Sequence, residues 1–212
     1  LQKGHLVEVD REALVAGYVG QTAIKTGAKI DEAQGGILFI DEAYSLTQSA
    51  VSNDFGQEAI QIILKRMEDL RGKFGVIVAG YPENMREFIN SNPGLKSRFD
   101  QYFQFEDYGP TEMFVIAQSL LKAEGLQAMP ESESHLKKYF EALYETRDKY
   151  FGNARTVRKI IGEAIKNQNL RMAAIPIGER SEEQLRTLAP EDVKEFDIGI
   201  KPTGNSLGFK IG

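Results

Sequence analysis

The stretch Gly35-Gly36-Ile37-Leu38-Phe39-Ile40-Asp41-Glu42-Ala43-Tyr44-Ser45-Leu46 constrains this chain more than any other. An apolar run, Ile37 to Ile40, lies without alternation between paired glycines and paired carboxylates. Such a run predicts a strand buried on both faces, as in a parallel sheet. Two readings of the carboxylates stand at this point. In the first, a core strand meets solvent at an acidic turn. In the second, this is a Walker B strand. Asp41 at its carboxyl end would hold Mg²⁺ through hard oxygen ligands. Glu42 would orient and polarise the water that attacks a γ-phosphate.

The surrounding chain sets the strand in a β–α–β rhythm. Gly4 to Val9 reads as a short strand and Asp10 to Leu14 as a turn or short helix. Tyr18, flanked by Gly17 and Gly20, precedes a helix over about Thr22 to Glu32. Either that tyrosine packs on the core, or a flexible loop displays it. After a polar loop from Thr47 to Phe55, Asn53 or Asp54 is placed to cap the next helix. Ala59, Ile63, Met67 and Leu70 recur at helical spacing, so that helix runs over about Gly56 to Leu70. Lys73 to Gly80 predicts a second buried strand, and Asn84 to Ile89 another helix. Asn90 to Gly94 forms a turn, and the alternating Asp100 to Glu106 predicts a third strand.

From Tyr108 the pattern becomes helical. Pro110-Thr111-Glu112 starts a helix bearing Met113, Ile116, Ala117, Leu120 and Leu121. Leu136, Tyr139, Phe140, Leu143 and Tyr144 mark a second helix over Ser132 to Tyr150. Gly152-Asn153-Ala154-Arg155 opens a third that runs to about Ala174. The predicted architecture is α/β: a parallel sheet sandwiched by helices over residues 1–107, then a small all-helical domain over 108–175. Residues 176–212 form a tail that is mostly loop, with a short helix at Pro190-Glu191-Asp192-Val193.

Composition narrows the function. A formal net charge of −5 argues against a dominant nucleic-acid surface. There is no cysteine, and His5 and His135 are far apart, which disfavours a zinc site. No apolar run approaches the ~18 residues of a membrane span, so a cytoplasmic location is expected. One motif is a decoy: Gly20-Gln21-Thr22-Ala23-Ile24-Lys25-Thr26 imitates a phosphate-binding loop. Such a loop needs glycine immediately before the lysine, where this chain has the β-branched Ile24. No other stretch matches one.

In chain order, five motifs together resemble an AAA+ ATPase of the CbbX/stage V sporulation protein K group. They are Tyr18-Val19-Gly20, the Gly35–Tyr44 segment, Ala79-Gly80-Tyr81, Asn92-Pro93-Gly94-Leu95-Lys96-Ser97-Arg98-Phe99 and Gly152-Asn153-Ala154-Arg155. The likeness covers roughly Gly4 to Ala174. It implies ATP and Mg²⁺ as cofactors, with Asp41 organising the metal and Glu42 catalytic. It makes Arg98 an arginine finger supplied to a neighbouring subunit, and Arg155 a sensor of bound nucleotide at the head of a lid helix. Arg158, one turn on, is then structural. Tyr81 takes the place of a sensor asparagine, with Asn84 as the alternative. Tyr18 and Val19 become a pore loop that grips polypeptide, the aromatic ring offering contact area without sequence demands.

The resemblance further implies a homo-oligomer, a hexameric ring, acting on a protein substrate and not on nucleic acid or a membrane. It also implies a P-loop upstream of the first strand. On that basis the chain is expected to be a fragment, truncated before the P-loop or derived from a protein without one, and to hydrolyse no ATP alone. The alternative function is a non-hydrolysing AAA-like scaffold or regulatory module.

Overall fold

A computed structural model describes residues 2–18, 20–48, 55–148 and 151–196. Contacts divide the chain into two units, Leu1–Gln104 and Phe105–Gly212.

The first unit is built on three parallel strands, β1 (Leu6–Val9), β2 (Ile37–Ile40) and β3 (Gly75–Val78), in that spatial order. Leu6 pairs with Ile37 and Ile37 with Gly75, so the three strands end together at Val9, Ile40 and Val78. Helix α1 (Arg11–Leu14) follows β1 directly, with Asp10 Oδ1 accepting the Ala13 amide at 2.8 Å. Helix α2 (Gln21–Glu32) follows Gly20, whose φ of 79° is one that a glycine adopts without strain. Helices α3 (Phe55–Asp69), α4 (Pro82–Asn90) and α5 (Pro93–Arg98) complete the unit. Asn53 and Asp54, the expected caps of α3, lie outside the described residues.

Parity along the strands explains the core. Val7, Val9, Leu38 and Ile40 project to one face and pack with Leu14, Ile30, Ala59, Ile60, Ile63, Phe88 and Leu95. The burial expected on both faces of β2 is not found. Leu38 and Ile40 are buried, whereas Ile37 and Phe39 remain partly exposed. On that same parity Leu6 is 57% exposed and Ile77 46%. A continuous apolar run therefore reported the strand but not how each face is covered.

The strand expected over Asp100–Glu106 is also absent; residues 99–109 form no regular element. Their aromatics stand in solvent, Phe103 at 83% and Phe105 at 94% exposure. Alternation creates two faces, but a strand needs a neighbouring ladder, and no described strand pairs with this segment. Asn92-Pro93-Gly94, read as a turn, is instead a helix start. Asn92 Oδ1 accepts the Gly94 amide at 2.7 Å, and Pro93 occupies the first helical position of α5.

The second unit packs α6 (Pro110–Ala123), α7 (Pro130–Glu145) and α8 (Ala154–Ala173) around Met113, Ala117, Leu136, Phe140, Val157 and Ile161. Within the segment expected to be mostly loop, the described residues 176–196 are in large part structured. They hold α9 (Glu182–Arg186), β5 (Thr187–Leu188) and α10 (Pro190–Val193), and β5 pairs in parallel with β4 (Gln127–Ala128). Leu188, Val193 and Phe196 enter the same core. Asp192, 1% exposed, binds Arg171 through both carboxylate oxygens at 2.9 and 2.8 Å. Among the described residues no helix is long and apolar enough to cross a membrane.

Candidate active site

Parallel strands open a crevice beyond their carboxyl ends, where side chains of successive turns converge. Here that edge is drawn tight by backbone bonds. Asp41 N donates to Val9 O at 2.9 Å, and Ala43 N donates to Ala79 O at 3.0 Å. The turn after β2 is thereby joined to the last residue of β1 and to the first residue beyond β3. Arg11 adds a bond from Nη1 to Ser45 O at 2.6 Å, holding the turn after β2 against the start of α1.

Asp41 is half-buried and Glu42 exposed. Asp41 Oδ1 accepts the Glu42 amide at 3.0 Å. Glu42 itself adopts φ 47° and ψ 44°, a left-handed conformation uncommon for a residue other than glycine, and opens the 3₁₀ turn Ala43–Leu46. The strain turns the carboxylate out of the strand direction and into solvent. Nothing in the sequence pattern announced it.

Tyr44 closes one side. Burial raises its hydroxyl pKa above the ordinary 10.0; the charge of Glu42 and a hydrogen bond to it push the same way, and Asn84 opposes them. Gly80 makes room for the ring: a Cβ there would lie 2.7 Å from Tyr44 Cδ1 and 2.8 Å from Met85 Sδ. The glycine of Ala79-Gly80-Tyr81 was the signal that a large side chain crosses at this point. Tyr81 is 51% exposed at the start of α4. Tyr81 and Asn84, the latter in the first turn of α4, both act on the Tyr44 hydroxyl, Tyr81 through its charge and Asn84 through a side-chain hydrogen bond. Asp41, Glu42, Tyr81 and Asn84 thus belong to one neighbourhood.

Arg98 ends α5, away from those strand turns in sequence. Its Nη2 lies 3.5 Å from Glu68 Oε2, and its Nε is buried without a hydrogen-bond partner among the described residues. An ion pair this long with a mostly exposed glutamate contributes little, so the guanidinium is weakly held. Tyr18 is 73% exposed and does not pack in the core; Val19 lies outside the described residues. Arg155 is in the second unit, exposed in the first turn of α8, and Arg158 is exposed as well. Lys25 of the rejected loop lies within α2, where its ammonium donates to Glu12 O and, at 3.0 Å, to Val15 O. It closes the end of α1.

Asp41 offers a carboxylate at the crevice floor. This suits Mg²⁺, which is commonly held by one or two carboxylates together with substrate phosphates and water. Among the described residues no cluster of three or more acidic or histidine side chains forms an all-protein metal cage.

The family described as "ATPase family associated with various cellular activities (AAA)" matches residues 2–107, and "AAA lid domain" matches residues 109–201. The chain belongs to the AAA family of ATPases. Within it the similarity runs to the CbbX and stage V sporulation protein K group. It is 40% identical over 194 residues to Protein CbbX of Cereibacter sphaeroides, covering 92% of this chain and 62% of that protein. It is 39% identical to the chloroplastic ribulose bisphosphate carboxylase/oxygenase activase of Cyanidioschyzon merolae, covering 91% and 65%. With stage V sporulation protein K of Bacillus subtilis it shares 43% over 173 residues, covering 81% and 53%. The chain thus spans between about half and two thirds of the length of these curated relatives.

Among solved structures, the FIGL-1 AAA domain matches with TM-score 0.60 at 16% identity, covering 89% of this chain and 60% of that one. A closed-state Hsp104 reconstruction matches with TM-score 0.58 at 17% identity, covering 90% and 32%. At such identities the likeness is one of fold.

Proposed function

We propose that this chain supplies the hydrolytic carboxylates and the lid of an ATP-driven protein-remodelling machine. The observation that carries the reading is Glu42: a carboxylate displayed by a strained backbone at the carboxyl end of a parallel sheet, one residue after Asp41. Strain of this kind is retained where a side chain must be aimed. Glu42 accepts or orients the proton of the attacking water. Asp41 would hold Mg²⁺, which would supply positive charge against the phosphates of a bound nucleotide. Tyr81 or Asn84, which both act on Tyr44 beside Glu42, orients the γ-phosphate side of the crevice.

Arg98, weakly held by its own subunit, serves a neighbouring subunit's phosphates in a hexameric ring. Arg155 reports bound nucleotide to the lid. Tyr18, exposed on a glycine-flanked loop with Val19, grips a polypeptide drawn through the pore. The relative named as a ribulose bisphosphate carboxylase/oxygenase activase supports a protein substrate. The working location is the cytoplasm or an equivalent soluble compartment. A second reading is a non-hydrolysing AAA-like scaffold or regulatory module.

Glu42→Gln separates the two. In the complete natural gene product it should leave ATP binding intact and slow hydrolysis by ~10²–10⁴-fold, the usual contribution of a positioned base. Turnover within about twofold of wild type removes Glu42 from catalysis. Absence of any ATP binding or hydrolysis by the wild type supports the scaffold.

A further inference from the structure

Asn153 departs from expectation in both backbone and side chain. It immediately precedes α8 with φ 50° and ψ −124°, outside the left-handed helical basin and in a region left mainly to glycine. An asparagine in this position ordinarily turns its side chain onto an amide of the first helical turn. Here it makes no such bond. Its Nδ2 donates instead to Asp107 Oδ1 at 2.9 Å, and its Oδ1 accepts the Tyr108 amide at 3.3 Å. Asp107 Oδ2 in turn lies 3.4 Å from Arg147 Nε, and the Arg147 guanidinium lies 3.6 Å from the centre of the Tyr144 ring.

The incoming segment of the helical unit, the end of α7 and the head of α8 are thus tied at one residue. Two residues further on stands Arg155, whose amide donates to Gly152 O at 2.9 Å. Gly152 is needed for this path: a Cβ there would lie 2.6 Å from Thr156 Oγ1. Ordinary capping would satisfy the helix more cheaply and leave Asp107–Tyr108 free. The strain is explained if the attachment itself is what matters.

We propose that Asn153 is a positioning residue, a strained latch that fixes the head of α8, and with it Arg155, to the incoming segment Asp107–Tyr108. Movement of that segment is then transmitted to the presentation of Arg155 rather than absorbed at a loose helix end. The proposal rests on the reading of Arg155 as a nucleotide sensor.

The test uses the complete natural gene product, MgADP as probe, and hydrogen exchange of the Tyr108 amide. Asn153→Asp keeps the size and the acceptor but sets a second carboxylate against Asp107. It should speed Tyr108 exchange about tenfold and weaken MgADP binding about three- to tenfold, the scale of one lost hydrogen bond. Combining it with Asp107→Asn restores donor and acceptor in the opposite sense and should return both readouts to within about twofold of wild type. Asn153→Gly relieves the backbone and deletes the latch. Its melting temperature should hold while Tyr108 exchange and MgADP affinity change as for Asn153→Asp, a split that a purely structural role does not give. Unchanged Tyr108 exchange in Asn153→Asp overturns the latch. Unchanged MgADP affinity in the Asn153 variants, where Arg155→Ala does weaken binding, overturns the coupling. Unchanged affinity in Arg155→Ala overturns the sensing reading, and the coupling with it.

Discussion

Replacing Asp192 by alanine should undock the end of the helical unit. The carboxylate is 1% exposed and makes three short bonds: to Arg171 Nε at 2.9 Å, to Arg171 Nη2 at 2.8 Å and to the Ala189 amide at 2.8 Å. Breaking a buried pair by removing one partner typically costs ~3–5 kcal/mol. Arg171 is 24% exposed and keeps a 3.0 Å bond to Thr187 O, so its stranded charge recovers part of its hydration. The expected loss is therefore about 2–4 kcal/mol, which for a unit of this size lowers the melting temperature by roughly 10 °C or more. The damage should be local. Leu188, Val193 and Phe196 would leave the core, and the Met129 amide, bonded to Leu188 O at 3.0 Å, would lose protection from exchange. Calorimetry with residue-resolved hydrogen exchange measures both. The Arg171→Met, Asp192→Leu pair, which replaces the ions with apolar bulk, should recover most of the stability. A loss below about 1 kcal/mol in Asp192→Ala, or a Met129 amide that stays protected, refutes the reasoning.

Two further predictions concern the proposed machine. Arg98→Ala in the complete gene product should preserve nucleotide binding and abolish turnover, and mixing it with Glu42→Gln subunits should restore some activity at interfaces that pair an intact Glu42 with an intact Arg98. Mixed rings that form without any recovered ATPase count against an arginine supplied in trans. Tyr18→Ala should retain basal ATPase and melting temperature while losing work on a protein substrate; a fall of several degrees together with the ATPase would mean that the ring is structural, since truncating a buried aromatic typically costs ~3–5 kcal/mol.

Sequence by itself determined those elements that a local pattern encodes. The unalternating Ile37–Ile40 run, the helical spacing of Ala59, Ile63, Met67 and Leu70, and the Pro110-Thr111-Glu112 start each encode a local preference, and each formed the expected element. The carboxylate pair was legible for the same reason, because a strand end places its next residues in the crevice wherever the strand lies. The register of three parallel strands was not legible, because it is set by pairing between segments far apart in the chain. Asp100–Glu106 shows the consequence, with strand alternation and no ladder to join. The structured stretch from Glu182 to Phe196 escaped for a related reason. Leu188, Val193 and Phe196 are too few to show a period, and a buried Asp192 gives no sign of its Arg171 partner until folding brings them together. Strain was equally invisible: Glu42 and Asn153 hold unfavourable backbone angles only because neighbouring strands, turns and side chains over-determine them, and that support exists only in the folded chain.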